Sequence, residues 1–264
     1  MKLKQLFGFV HDDMNVLKNH YENTEKHIEI YFPNVNLKEN EFNSLFYRSD
    51  EFIKNHEGKH LLFVGCSYTF GSGIEQELTW PKIVYDKISK KEKNSGYFNI
   101  GTTGSSITDS IYNMFKYFKI YGNPDVIFFC MPDALRFYNF DENINKIRNA
   151  WYSEEDLELL MFINKNNYMI LEEYCKANKI KLYSFTWVFN KKRHKSVDDV
   201  FDKNFFTFYK INLEDQDEFV FAVFAKETKN PYTLWAKDEK HRGTAYHEYW
   251  ANFIYNKYNE STLQ

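Results

Sequence analysis

Between residues 59 and 185 the chain repeats one alternation: a short continuous apolar run, a polar turn, then a stretch of helical periodicity. The runs are His60-Leu61-Leu62-Phe63-Val64, Tyr97-Phe98-Asn99-Ile100, Asp125-Val126-Ile127-Phe128-Phe129-Cys130 and Ile180-Lys181-Leu182-Tyr183-Ser184-Phe185. Short, largely uninterrupted apolar runs are those of strands buried on both faces. Helical patterns occupy 80–90, 107–120 and 153–178, the last opened by the cap-like Ser153-Glu154-Glu155-Asp156. Strands alternating with helices predict an α/β fold with a parallel sheet. In such sheets ligands bind beyond the carboxyl ends of the strands, so the residues just after each run are the ones to read for chemistry.

The 264 residues fit one enzyme-sized unit, at roughly 100 to 200 residues per domain. A chain of this length builds a core without disulfides or a structural metal. No linker or repeat divides it; residues 1–58 are read as an N-terminal extension packed on a main domain of residues 59–264. Within the extension a helix is expected over 12–29. Lys plus Arg number 34 against 37 Asp plus Glu, a formal charge of -3, which argues against a nucleic-acid partner. The basic run Lys191-Lys192-Arg193-His194-Lys195 reads as a solvated loop. No run is long enough to span a membrane and the first ten residues lack a secretory apolar core, so a cytoplasmic protein is expected, virion-associated if phage-encoded. Cys66, Cys130 and Cys175 are an odd, scattered set that fits neither a disulfide framework nor a zinc site. Neither a cofactor nor a metal is expected. The high aromatic content, 20 Tyr and 26 Phe, fits either a carbohydrate surface or an AT-rich coding sequence. The segments 205–209 and 219–224 read as a hairpin or core edge.

The first run ends in Gly65-Cys66-Ser67-Tyr68-Thr69-Phe70-Gly71-Ser72-Gly73. A phosphate loop fails on spacing and on the missing Lys, and a dinucleotide loop fails on the third glycine. What remains is a turn that either presents Ser67 as a nucleophile or merely caps a helix. Near the other end stands Asp238-Glu239-Lys240-His241. An Asp three residues before a His can orient the imidazole and leave its other nitrogen as a base; the alternative is a charged, solvated loop. His247-Glu248 begins a zinc-helix pattern, but Ala251 stands where the second ligand belongs.

Taken together these segments resemble the SGNH (GDSL-type) hydrolases. Gly65-Cys66-Ser67-Tyr68-Thr69-Phe70-Gly71 is similar to the family's first block, with Cys66 in place of its Asp. Asn99-Ile100-Gly101-Thr102-Thr103-Gly104 resembles the second block, and Asp238-x-x-His241 the last. The chain order is also the family's. The resemblance implies a three-layer α/β/α sandwich around a mostly parallel, flavodoxin-like sheet, and a serine esterase acting on, or transferring, an acyl ester such as an O-acetyl group on a carbohydrate. It implies Ser67 as nucleophile, His241 as base, Asp238 as orienter, and the Ser67 and Gly104 N–H groups as oxyanion donors. The third block departs from the pattern, because Pro132 in Cys130-Met131-Pro132-Asp133 occupies the place of the family's amide donor. Arg136, Arg48 and His247 are the further candidates for substrate binding. Arg48 belongs to the segment Asn43 to Phe52, which is loosely similar to one that precedes the first block in some members. The alternative is an SGNH-fold structural or glycan-binding module, virion-associated, whose catalysis has decayed. Oligomeric state is not legible.

Overall fold

The computed structural model describes residues 41–45, 47–132, 136, 154–186, 236–237 and 241–262. The sequence expectations for 12–29, 191–195, 205–209 and 219–224, and those for Asp133 and Asp238, lie outside the described residues.

The four apolar runs form the four strands β1 (His60–Gly65), β2 (Gly96–Asn99), β3 (Val126–Met131) and β4 (Lys181–Thr186). They pair in parallel in the order β2-β1-β3-β4. Leu61 to Gly65 lie beside Val126 to Cys130, and Val126 to Met131 beside Lys181 to Thr186. Between them come α1 (Ser67–Phe70), a turn of 3-10 helix (Gln76–Leu78), α2 (Trp80–Ser89), α3 (Ile107–Tyr121), α4 (Glu154–Ala177) and, near the end, α5 (Thr244–Thr262).

Side chains alternate between the two faces, and because helices cover both, the central strands β1 and β3 are apolar almost throughout. Leu62, Val64, Phe98, Ile127 and Phe129 point to one face, where Ile111, Met114 and Tyr117 of α3 and Leu171 and Cys175 of α4 close a core. Leu61, Phe63, Tyr97 and Phe128 point to the other, against Trp80, Val84 and Ile88 of α2 and Trp250, Ala251 and Ile254 of α5. The result among the described residues is the three-layer α/β/α arrangement, with each helix carrying one apolar stripe. α3 starts where it does because Ser106 and Asp109 form a reciprocal capping box, which satisfies two orphan backbone donors.

The described part of the N-terminal extension is built into this core. Ser49 Oγ donates to the Tyr97 carbonyl at 3.1 Å and accepts from the Asn99 N–H at 3.0 Å, while the Asp50 N–H donates to Tyr97 at 3.1 Å. These bonds occupy the outer edge of β2, a row of backbone groups that would otherwise be open to foreign strands. The chain leaves β1 toward β2 on one side and reaches β3 on the other, so the crevice at the carboxyl ends of β1 and β3 is the switch point of the sheet.

Candidate active site

β1 ends at Gly65, and Cys66, in extended conformation, is the N-cap of α1. Ser67 is therefore the first residue of a single helical turn, with its N–H outside the helix's own hydrogen bonding. The turn closes at Gly71, whose φ of 83° is the left-handed C-cap conformation that glycine adopts without steric cost. Ser67 is buried, and its Oγ lies 2.8 Å from His241 Nε2. These two side chains, 174 positions apart in sequence, form the centre of the site.

His241 sits just before α5, on a segment pinned at two points. The Ala236 N–H donates to the His241 carbonyl at 2.8 Å, and the Lys237 N–H to the Gly73 carbonyl at 3.0 Å. Tyr68 braces it from below. Its ring meets the His241 ring edge-on at 5.2 Å. Burial raises the Tyr68 pKa above its ordinary value, so the phenol stays neutral.

The second loop packs on the first. Asn99 Nδ2 donates to the Thr69 carbonyl at 2.9 Å, and Asn99 Oδ1 accepts from the Gly101 N–H at 2.8 Å. The Thr102 N–H and Ser105 Oγ both donate to the Gly65 carbonyl, at 3.0 and 3.1 Å. Gly104 lies between these anchors with φ of 76°, a left-handed turn beside the Ser67 loop.

The remaining candidates separate. Arg48 is not at an open surface: it is 1 % exposed. Its Nη1 donates to the carbonyls of Gly71 at 2.7 Å and Ile74 at 2.8 Å, and its Nη2 pairs with Glu41 at 2.5 Å. The expectation that it meets substrate is replaced by a clamp on the C-terminal end of α1. His247 is likewise buried, its Nδ1 accepting from the Trp80 N–H at 3.0 Å. Burial, with the charges of His241 and Arg48, pulls its pKa down to about 3. It is thus a neutral ring that satisfies the first backbone donor of α2, and its expected role toward substrate gives way to that structural one.

Arg136 lies beyond β3, half-buried, with Nη1 enclosed and without a hydrogen-bond partner. Cys66 and Cys130 are buried free thiols, and burial holds Cys130 well above the usual thiol range. A recess is walled by Tyr68, Trp80, Cys130, Phe185, Tyr246, His247 and Trp250. Among the described residues no group of three or more His, Cys, Asp or Glu side chains could hold a metal ion, and no helix is long and apolar enough to cross a membrane.

Tyr68, Asn99 and Glu41 were not singled out from sequence. The polar Asn99 inside a buried run was the one signal that could have marked it.

No family model and no curated protein matches the chain. Solved structures similar to it include the psychrotrophic esterase EstA from Pseudoalteromonas sp., inhibited by monoethylphosphonate, at TM-score 0.47 and 13% identity, covering 78% of this chain and 100% of that one. A putative lipolytic protein of the G-D-S-L family from Desulfitobacterium hafniense DCB-2 aligns at TM-score 0.45 and 12% identity, over 75% of this chain and 98% of its own. The acetyl xylan esterase AlAXEase gives TM-score 0.46 and 12% identity over the same shares. At such distances the function has to be argued from this chain's own side chains.

Proposed function

We propose that the chain is a serine esterase of the SGNH type, cleaving or transferring an acyl ester, with O-acetylated carbohydrates as the first substrate class to test. The observation that carries this reading is the 2.8 Å contact between Ser67 Oγ and His241 Nε2, within the reach a base needs to take a hydroxyl proton. Ser67 Oγ attacks the ester carbonyl as His241 Nε2 accepts its proton. The orienting role, holding the His241 tautomer, is assigned to Asp238 on its sequence spacing of three residues from His241. The oxyanion forms against the N–H groups of Ser67 and Gly104, each donor contributing about 3–4 kcal/mol to the transition state. The imidazolium then returns its proton to the departing alkoxide, leaving an acyl-Ser67 ester. Water, or a sugar hydroxyl, gives its proton to His241 and attacks that ester, releasing the acid or the new ester and restoring Ser67.

The second reading, a decayed structural or glycan-binding module, draws on Pro132, which has neither a backbone N–H nor a polar side chain. Fluorophosphonate labelling separates the two. The wild type is expected to label at one serine and Ser67→Ala to lose both label and turnover while its circular dichroism is unchanged. His241→Ala is expected to cost on the order of a millionfold in kcat, far more than His247→Ala. An unlabelled wild type, or label persisting in Ser67→Ala, refutes the esterase.

A further inference from the structure

Beyond the carboxyl end of β3 stands a cation that no carboxylate among the described residues neutralises. Arg136 is half-buried, and its Nη1 is enclosed without a hydrogen-bond partner. Among the described residues no carboxylate pairs with it, in contrast to Arg48, whose guanidinium is spent on Glu41 and on carbonyls. A guanidinium cannot shed its charge, and an enclosed N–H without an acceptor keeps its full desolvation penalty. Such a donor is tolerated where an acceptor arrives from outside.

Its place in the fold says which acceptor. β1 and β3 are neighbours in register, Gly65 beside Cys130, so the segments leaving them open on the same crevice. Ser67 leaves β1, and Arg136 follows β3. The guanidinium is close enough for its charge to favour ionisation of both Tyr68 and Cys130. Tyr68 follows Ser67 directly and touches His241. The cation thus stands at the same end of the sheet as Ser67, within electrostatic reach of the residue that follows it.

Building on the esterase reading, we infer that Arg136 receives a carboxylate carried by the substrate, so that the enzyme prefers anionic esters. The planar fork of arginine suits a carboxylate through two parallel N–H bonds. That carboxylate belongs either to the acyl group or to the alcohol, an acidic sugar for example. The binding chemistry is the same.

Two substrate pairs distinguish the sources. Monomethyl succinate against methyl butyrate places the charge on the acyl side. An acetylated methyl glucuronide against the matching acetylated methyl glucoside places it on the alcohol side. Wild-type kcat/KM is expected to favour the charged member of one pair by at least about tenfold, or about 1.4 kcal/mol, chiefly through KM. Arg136→Gln should collapse that ratio, Arg136→Lys should keep part of it, and Arg136→Glu should invert it. Equal rates within both wild-type pairs overturn the inference. So does a ratio that survives in Arg136→Gln, or a fall in kcat shared equally by charged and neutral esters, which is the signature of an oxyanion donor. Turnover of methyl butyrate and fluorophosphonate labelling report on the esterase itself, so its failure is seen separately. In that event calorimetric binding of succinate and glucuronate decides: loss of binding in Arg136→Gln supports the anion site, and no binding to the wild type ends it.

Discussion

At Gly65 a single missing methyl group makes the Ser67 turn possible. The residue has φ of 155°, and a Cβ there would stand 2.2 Å from Thr69 Oγ1 and 2.6 Å from the Cys130 carbonyl oxygen. The Thr69 side chain could rotate away; the carbonyl belongs to a central strand and cannot. Gly65→Ala should therefore cost on the order of 2 kcal/mol or more, read as a lower urea midpoint. Fluorophosphonate labelling should slow as well, because the displaced strand end carries Ser67 with it. A variant as stable and as reactive as the wild type would contradict this account. The same economy explains Asn99. Its amide bonds the Thr69 carbonyl and the Gly101 N–H at once, which is why a polar residue occupies a buried run: it ties the two loops of the site to each other. Tyr68 adds a second support, bracing His241 by its ring.

The element that matters most is α1, a helix of only four residues and too short to persist by itself. What holds it is Arg48, whose guanidinium caps the carbonyls at its carboxyl end and, through Glu41, ties them to the preceding segment. Cations are favourable at that end of a helix, and burial is tolerable here because the charge is paired and hydrogen-bonded. Removing one partner of a buried pair strands the other, at about 3–5 kcal/mol. Arg48→Met is thus expected to be strongly destabilising in urea unfolding, and Arg48→Met with Glu41→Gln less so than the single change; a double variant worse than the single would refute the pairing. This element also shows where sequence reading stops. The four strands and α2 to α4 were legible because each carries its periodicity within one stretch of chain. Ser67 and His241 could be picked out as candidates because each stands at a turn in its own stretch of chain, and the structure brings their side chains to 2.8 Å. Arg48 was read toward the substrate because nothing within its own segment shows that it reaches carbonyls more than twenty positions on. His247 was misread for the same reason: its partner, the Trp80 N–H, lies 167 residues away, and only the packing of α5 against α2 brings the two together.

For the whole molecule, the two sides of the sheet share one weakness toward acid. His60 is buried against Tyr117, its Nε2 2.7 Å from the Tyr117 hydroxyl, and burial, with the neighbouring His56, lowers its pKa to about 4. His247, on the opposite face, is lowered to about 3, again mainly by burial. Both rings start from an ordinary value of 6.5, so below it the unfolded chain binds protons that the folded chain refuses. Stability rises with pH wherever the unfolded state holds more protons. The contribution of each neutral histidine is therefore complete above about pH 6.5 and drains away as pH falls toward the lowered values, by about 1.4 kcal/mol per pH unit for each ring. Asp50 and Asp109 oppose this in the lower part of the range, since burial raises both and the folded state then takes up their protons more readily. A variant isolates the histidine effect from theirs. In His247→Asn the amide oxygen can still accept the Trp80 N–H, yet the side chain no longer titrates. Its stability at neutral pH should be lower than that of the wild type, because the stacking on Tyr68 is lost, but its urea midpoint should fall less steeply between pH 6.5 and 4. Parallel midpoint curves for the two proteins would mean that His247 is not the buried neutral ring described here, and that acid opens the molecule somewhere else.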